Sequence, residues 1–162
     1  MGRVMTWEEM KTERARLRAD DRRLVFTNGV FDILHRGHCE YLHDARALGD
    51  ALVVGLNSDA SVHRLKGEKK PIVAEKDRAA VLGALASVDY VVIFHQDTPY
   101  ELISELLPDI LVKGGDYQLD DIVGRHEVEA AGGQVLTIPL TKGRSSTNII
   151  ATIIERYCTQ KR

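Results

Sequence analysis

Between positions 31 and 43 the sequence reads FDILHRGHCEYLH, which places His35, His38, Cys39 and His43 within nine residues. Imidazole and thiolate are good zinc ligands, and an imidazole N–H also donates well to phosphate. A structural zinc site needs a further ligand pair from elsewhere, yet the only other cysteine, Cys158, stands near the far end of the chain. The HExxH spacing of metallohydrolases is absent. Phosphate binding uses more of the sequence. An apolar run ends at Asn28 and Gly29, and a helix is expected to begin between His35 and His38. Its unpaired first-turn amides form an anion site before any side chain is counted. Gly37 lets the backbone come close, and His35 and His38, one turn apart, project toward the same phosphate. Cys39 and His43 fall elsewhere on that helix. Phosphate binding is the expectation; metal ligation and a purely structural cluster are the alternatives.

The elements that must hold these residues follow from short apolar runs alternating with helical patterns. The runs at 23–29, 51–58, 89–94, 109–115 and 133–139 are rich in Val, Ile, Leu and Phe without clean alternation, as in strands buried on both faces. Helices are expected over 36–48, 75–86, 99–106, 125–131 and 147–157. This pattern predicts a single-domain, Rossmann-like, doubly wound parallel α/β sheet of about five strands with helices on both faces. A charged helix over 6–19, N-capped by Thr6, carries few apolar residues and is expected to lie across the surface. The segment 58–74, containing HRLKGEKKPIV, reads as a long irregular loop of the kind that is usually functional.

Ligands of open parallel sheets bind beyond the carboxyl ends of the strands. The strand exits here, TNGVFD, NSD, FHQDT, KGGDY and PLTKGRSST, are mostly rich in glycine or small hydroxyls, which suits close approach to an anion.

The 162 residues suffice for one core, and 44% hydrophobic with 28% charged residues is ordinary for a globular chain. A formal net charge of −2 argues against a general nucleic-acid partner. No secretory signal and no apolar run near the roughly 20 residues of a membrane span is present, so no membrane partner is expected. Two cysteines form no disulfide framework; reduced thiols and a cytoplasmic protein are expected.

An HxGH element just after a strand ending in NGVFD resembles the nucleotidyltransferase superfamily of cytidylyltransferases and related adenylyltransferases. RLKG at 64–67, Arg78, VKGGDY at 112–117 and GRSSTNII at 143–150 follow in the order of that family's motifs. Ser145, Ser146 and Thr147 resemble its ISTT box, which opens the last helix beside the nucleotide phosphates. The resemblance covers about residues 22–155, with 1–21 as an N-terminal helical extension and 22–162 as the nucleotidyltransferase domain. Within the family, TNGVFDILHRGHCEYLHDARALGD, NSDASVHRLKGEKKPI, LLPDILVKGGDY and SSTNII are most similar to the adenylyltransferases that make ADP-heptose for lipopolysaccharide. In some bacteria that activity is fused to a sugar kinase; this sequence resembles the stand-alone form. Where the glycerol-phosphate branch reads RTEGIST, an arginine is lost at Leu140 and another appears at Arg144, so phosphate contacts cannot be copied from that branch.

The resemblance implies AMP transfer from ATP, with Mg²⁺ bound to the nucleotide, onto D-glycero-β-D-manno-heptose 1-phosphate. CTP with glycerol 3-phosphate or a similar alcohol phosphate is the alternative. His35 and His38 are assigned to the ATP phosphates, and Lys66 to closing over the reacting groups, against a solvated lysine in a charged loop. Lys69 and Lys70 are expected in solvent. Asn28, Gly29, Phe31 and Gly37 belong to the nucleotide-binding turn. Asp32 is expected to hold Mg²⁺ or orient a ligand group, a turn-capping aspartate being the alternative. Arg78 is assigned an anionic ligand, against a surface salt bridge. Gly114 and Gly115 are expected to make a tight turn at the nucleotide edge, with Asp116 contacting ribose or metal, and Ser145, Ser146 and Thr147 are placed at the phosphates or adenine rim, with helix capping as a compatible role. Tyr41 and Tyr117 are expected in core packing, lining of the sugar pocket being the alternative. The family's habit implies a homo-oligomer, most simply a dimer.

Overall fold

A computed structural model describes residues 1–115, 118–141 and 143–158. The strands are β1 (Arg3–Met5), β2 (Leu24–Gly29), β3 (Ala51–Asn57), β4 (Tyr90–Phe94), β5 (Ile110–Gly114) and β6 (Gln134–Ile138). The helices are α1 (Trp7–Ala19), α2 (Arg36–Arg46), α3 (Asp59–Lys66), α4 (Glu75–Gly83), α5 (Tyr100–Leu106), α6 (Arg125–Ala130) and α7 (Ser146–Ile153). One sheet runs β1-β4-β3-β2-β5-β6 with every pairing parallel. All seven residues of β3 are buried, the mark of a strand covered on both faces.

Alternate residues of each strand feed two cores. Phe26, Val53, Val92 and Leu111 meet Met10, Leu17, Leu102, Ile103 and Val128 of α1, α5 and α6 on one face. Val25, Leu52, Val54 and Val112 meet Leu42, Ala45, Ala79 and Leu82 of α2 and α4 on the other. The period of two along the strands therefore assigns the helices to opposite faces. From β2 the chain winds through β3 to β4 in one direction, while β5 and β6 lie on the other side of β2. The order reverses between β2 and β5, and a crevice opens at such a reversal.

Three expectations are revised. The sheet has six strands, because Arg3–Met5 pairs with β4, and three residues are too few to show a pattern. Helix α1 does not merely lie across the surface, since Met10 and Leu17 are fully buried. It looks polar in sequence because charged groups serve inside. The buried Arg14 donates to Leu106 O (3.0 Å), Leu107 O (2.7 Å) and the Asp109 carboxylate (2.7 and 3.0 Å), satisfying carbonyls at the end of α5. Thr6 caps α1 as expected, in a reciprocal capping box with Glu9. Third, the segment 58–74 is irregular only from 67 onward. Ser58 caps α3 by accepting from Ser61 N at 3.2 Å, and Gly67, at φ 84°, ends it.

Candidate active site

The carboxyl ends of β2 and β5, the N-terminus of α2, Lys66 and Lys70, and residues 140–141 and 144–147 enclose a cavity of about 450 Å³. Its wall is built from β2 outward. A Cβ on Gly29 would stand 2.8 Å from Phe31 Cε2, so glycine is what allows the Phe31 ring to fold back over the strand end. Phe31 itself sits at φ 46°, a left-handed conformation costly for a bulky residue and more often tolerated at functional turns. Its ring meets His38 edge-on, with 5.2 Å between centroids.

His35 is the N-cap of α2 in extended conformation, and no side chain caps the helix. The first-turn amides therefore face the cavity mouth without a side-chain acceptor. The rings of His35 and His38 stack, 3.8 Å between centroids and 18° between planes. Nδ1 of each is buried without a hydrogen-bond partner. Burial, then the neighbouring charge of His35, pushes His38 down to about 4; burial, then Arg144, lowers His35. A Cβ on Gly37 would stand 3.2 Å from the His35 ring and 3.3 Å from Arg144 Cβ, so glycine permits the close approach of α2 to Arg144. Cys39 and His43 are exposed and do not line this cavity. Among the described residues no group of three or more His, Cys, Asp or Glu is arranged to hold a metal ion.

Asp32 lines the cavity, but its Oδ1 accepts from Ile72 N (2.8 Å) and Val73 N (2.9 Å), pinning the segment 67–74. Its Oδ2 is buried without a hydrogen-bond partner, 3.8 Å from Lys70 Nζ. Lys70, expected in solvent, thus lines the cavity beside Asp32, as Lys66 does from the end of α3. Lys69 is exposed.

Arg78 departs from expectation. It is 1% exposed, does not line the cavity, and donates to Val73 O, Val30 O, Asn57 O and Asp59 Oδ1. A guanidinium whose fork is filled by three carbonyls and a carboxylate ties the β2 exit, the β3 exit and the segment before α4 together. Four of its five N–H groups are thus committed to protein acceptors.

From the opposite wall, Ser145 caps α7 by accepting from Asn148 N at 3.1 Å, and Ser146 Oγ donates to Ile33 O at 3.0 Å. Both line the cavity, with Thr147, Arg144 and Leu140. Gly114, at the end of β5, lines it as well, whereas Asp116 and Tyr117 lie outside the described residues. Tyr41 is buried as expected, its hydroxyl 2.7 Å from Thr27 Oγ1 and 3.2 Å from Val112 O, and one edge reaches the cavity.

Sequence reasoning missed Lys113. It is 7% exposed, lines the cavity, and its ammonium donates to Asn28 Oδ1. The available signal was a lysine at the carboxyl end of an otherwise apolar strand. Lys66, Lys70, Lys113 and Arg144 face one another across the cavity, and Asp32 is the single carboxylate on the described part of its wall. Such a field attracts a polyanion.

Comparison with known proteins agrees with this geometry. A family model described as Cytidylyltransferase-like matches residues 26–152. A bifunctional protein HldE from Pelobacter propionicus is 58% identical over 140 residues, covering 86% of this chain and 29% of that protein. A protein of the same name from Salmonella arizonae is 55% identical, covering 93% of this chain and 31% of its own length. The chain thus spans about 30% of these curated relatives. The crystal structure of a lipopolysaccharide core biosynthesis protein from Thermoplasma volcanium superimposes with a TM-score of 0.62 at 33% identity. That alignment covers 76% of this chain and 99% of that one. A pantothenate synthetase from Thermus thermophilus, 18% identical with a TM-score of 0.62 over 91% of this chain and 67% of its own, shares the fold.

Proposed function

This chain belongs to the cytidylyltransferase-like family of nucleotidyltransferases, and on that premise we propose that it transfers AMP from ATP to D-glycero-β-D-manno-heptose 1-phosphate, giving ADP-heptose and pyrophosphate. The observation that carries nucleotidyl transfer is the stacked His35–His38 pair at the side-chain-uncapped start of α2, facing a cation-lined crevice at the reversal of strand order. The choice of sugar rests on the resemblance of the sequence to ADP-heptose-forming adenylyltransferases. The longer relatives named as bifunctional and the lipopolysaccharide core protein of similar fold support it.

In this reaction a phosphate oxygen of the sugar 1-phosphate attacks the α-phosphorus of ATP. The bond from that phosphorus to the bridging oxygen breaks, and pyrophosphate leaves with the electron pair. The attacking oxygen is already anionic near neutral pH, so no general base is required. Catalysis consists of aligning two anions and stabilising charge on the departing group. The α2 amides and the two imidazoles donate to the phosphates to be released, with His38 arriving neutral because burial holds it near 4. Lys66 and Lys70 flank the reacting phosphates, and Ser145–Thr147 meet the nucleotide from the other wall. Asn28, Gly29, Phe31, Gly37 and Gly114 shape the cleft.

The wall fits a Mg²⁺ ion carried in on ATP rather than a protein-held one. It offers one buried carboxylate oxygen without a hydrogen-bond partner, Asp32 Oδ2, with Lys70 Nζ 3.8 Å away, and Mg²⁺ commonly takes one carboxylate and several phosphate oxygens. Bound there, it would neutralise phosphate charge. The reading includes a cytoplasmic location, no nucleic-acid or membrane partner, and self-association as a dimer. The exposed Ile153, Ile154 and Tyr157 support self-association. Among the described residues no helix is long and apolar enough to cross a membrane.

Pyrophosphate release measured with ATP, CTP, GTP and UTP against heptose 1-phosphate and glycerol 3-phosphate tests the reading. Turnover with ATP and the heptose phosphate is expected. Turnover only with CTP and glycerol 3-phosphate would replace it with cytidylyl transfer.

A further inference from the structure

β2 and β3 pair along their whole lengths, through Gly29 and Leu56. β2 and β5 pair only at Val25–Ile110 and Phe26–Leu111. Beyond that point the sheet parts, and the gap is bridged by side chains, the Lys113 ammonium donating to Asn28 Oδ1. The bridge stands where the strand order reverses. Leu111 and Val112, which precede Lys113 on β5, are fully buried, so an apolar strand delivers one cation to the floor of the cavity. A lysine buried to 7% exposure in a central strand is a poor structural choice, since ammonium desolvation is costly and an apolar residue packs as well.

Position on the floor identifies which group it meets. Gly114, the next residue, forms the nucleoside edge of the proposed site, and the α2 amides with His35 and His38 form its pyrophosphate end. Lys113 adjoins Gly114 in the chain and reaches across to Asn28 of β2, the strand that leads to α2, so the pair links the two ends of the site and meets the phosphate joining nucleoside to pyrophosphate. We infer that Lys113 is a catalytic residue whose ammonium binds the non-bridging oxygens of the nucleotide's α-phosphoryl group, with Asn28 as the positioning residue that aims it. This inference rests on the nucleotidyl-transfer reading. The ammonium of a residue 7% exposed to water is weakly screened and interacts strongly with charge that grows on the α-phosphoryl oxygens, so it acts on the chemical step as well as on binding. The hydrogen bond that Lys113 donates to Asn28 Oδ1 fixes one rotamer of a flexible four-carbon stem before the nucleotide arrives.

The test compares binding of AMP, CMP, adenosine and pyrophosphate to the wild type, Lys113→Met and Lys113→Arg by calorimetry, alongside kcat. Met keeps the buried methylenes without the charge, and thermal melts identify folded variants. Lys113→Met is expected to weaken the preferred monophosphate at least tenfold, to change adenosine and pyrophosphate less than twofold, and to lower kcat roughly 10²-fold. Lys113→Arg should recover part of the monophosphate affinity. Equal losses for pyrophosphate and monophosphate, or no loss for either, would overturn the assignment. If Lys113→Met fails to fold, the folded Arg variant decides: wild-type kcat with wild-type monophosphate affinity would overturn it, whereas a kcat loss with pyrophosphate affinity unchanged would support it. A site that prefers CMP to AMP would contradict the adenylyl reading while leaving the role of Lys113 to the same comparison.

Discussion

His35 and His38 present their imidazole faces to each other at 3.8 Å, with buried Nδ1 atoms and with Arg144 close enough to His35 to disfavour its protonation. Two rings in this arrangement cannot both take a proton cheaply until an anion sits beside them.

The first expected outcome is proton uptake when nucleotide binds. His38 is held near 4 in the free protein, against about 6.5 unperturbed, and His35 is shifted in the same direction. Triphosphate charge reverses the shift, so the complex carries more protons than the free protein near pH 6. Calorimetry in buffers of different ionisation enthalpy should show this uptake, reduced in His38→Ala. The folded protein alone behaves in the opposite sense. Its unfolded form binds more protons between pH 4 and 6.5, so the contribution of His38 to stability is full above 6.5 and is lost as pH falls toward 4. An uptake identical in wild type and variant would contradict the phosphate role.

Replacing His35 or His38 with Ala should lower kcat by roughly 10²–10³, about 2.7–4 kcal/mol, with much less change in the KM for ATP. Donors aimed at the departing pyrophosphate gain most as its bond breaks. A KM effect alone would make the pair a ground-state binding device.

Arg78→Met should act on stability. Four acceptors, one of them buried and three part-buried, lose their donor, which costs about 3 kcal/mol and lowers Tm by roughly 10 °C for a domain of this size. Thermal unfolding followed by circular dichroism measures it. A stable variant with an ATP-binding defect would restore the ligand role that the geometry denies.

The segment 67–74 should be protected from protease by ATP. Its Ile72 and Val73 amides donate to Asp32, Val73 O accepts from Arg78, and it carries Lys70 on the cavity wall. Cleavage near Lys69 should slow when nucleotide engages Lys66 and Lys70, and equal rates with and without ATP would rule out that engagement.

How much of this was legible depended on whether a signal was local. The buried runs of β2 to β5 and the α2 start at His35–His38 follow from apolar clustering and helix-end chemistry, both properties of short windows. β6 reads in sequence as buried on both faces like them, but it is an edge strand with only Ile138 buried. Arg78 misled because its guanidinium is used by carbonyls from three separate segments, and no local pattern distinguishes that from a ligand contact. Lys70 misled for the converse reason: it looks like its solvated neighbour Lys69 until Asp32, far off in sequence, draws it inward. Strand β1 carries too few residues to show a period. Helix α1 hid its packing because Glu13 and Arg14 are buried through hydrogen bonds and ion pairs that sequence cannot see. Lys113 was visible as a type out of place, but its partner Asn28 emerges only when β2 and β5 become neighbours.

The carboxylate of Asp109 has a mechanical consequence. Its Oδ2 accepts from both Leu24 N and Arg14 Nη1, at 2.7 Å each, while Oδ1 holds Arg14 Nη2 at 3.0 Å. A single side chain thereby clasps α1, the first residue of β2 and the entry to β5. Fraying or tension that enters at the amino terminus can peel Arg3–Met5 from β4 one pair at a time, but it then meets this clasp. Past it, the load falls on the start of β2, the strand that carries Asn28 and Gly29. Asp109→Asn would leave the guanidinium of Arg14 without its countercharge, and a pull on the terminus would then travel further into the sheet, toward the strand on which the nucleotide rests.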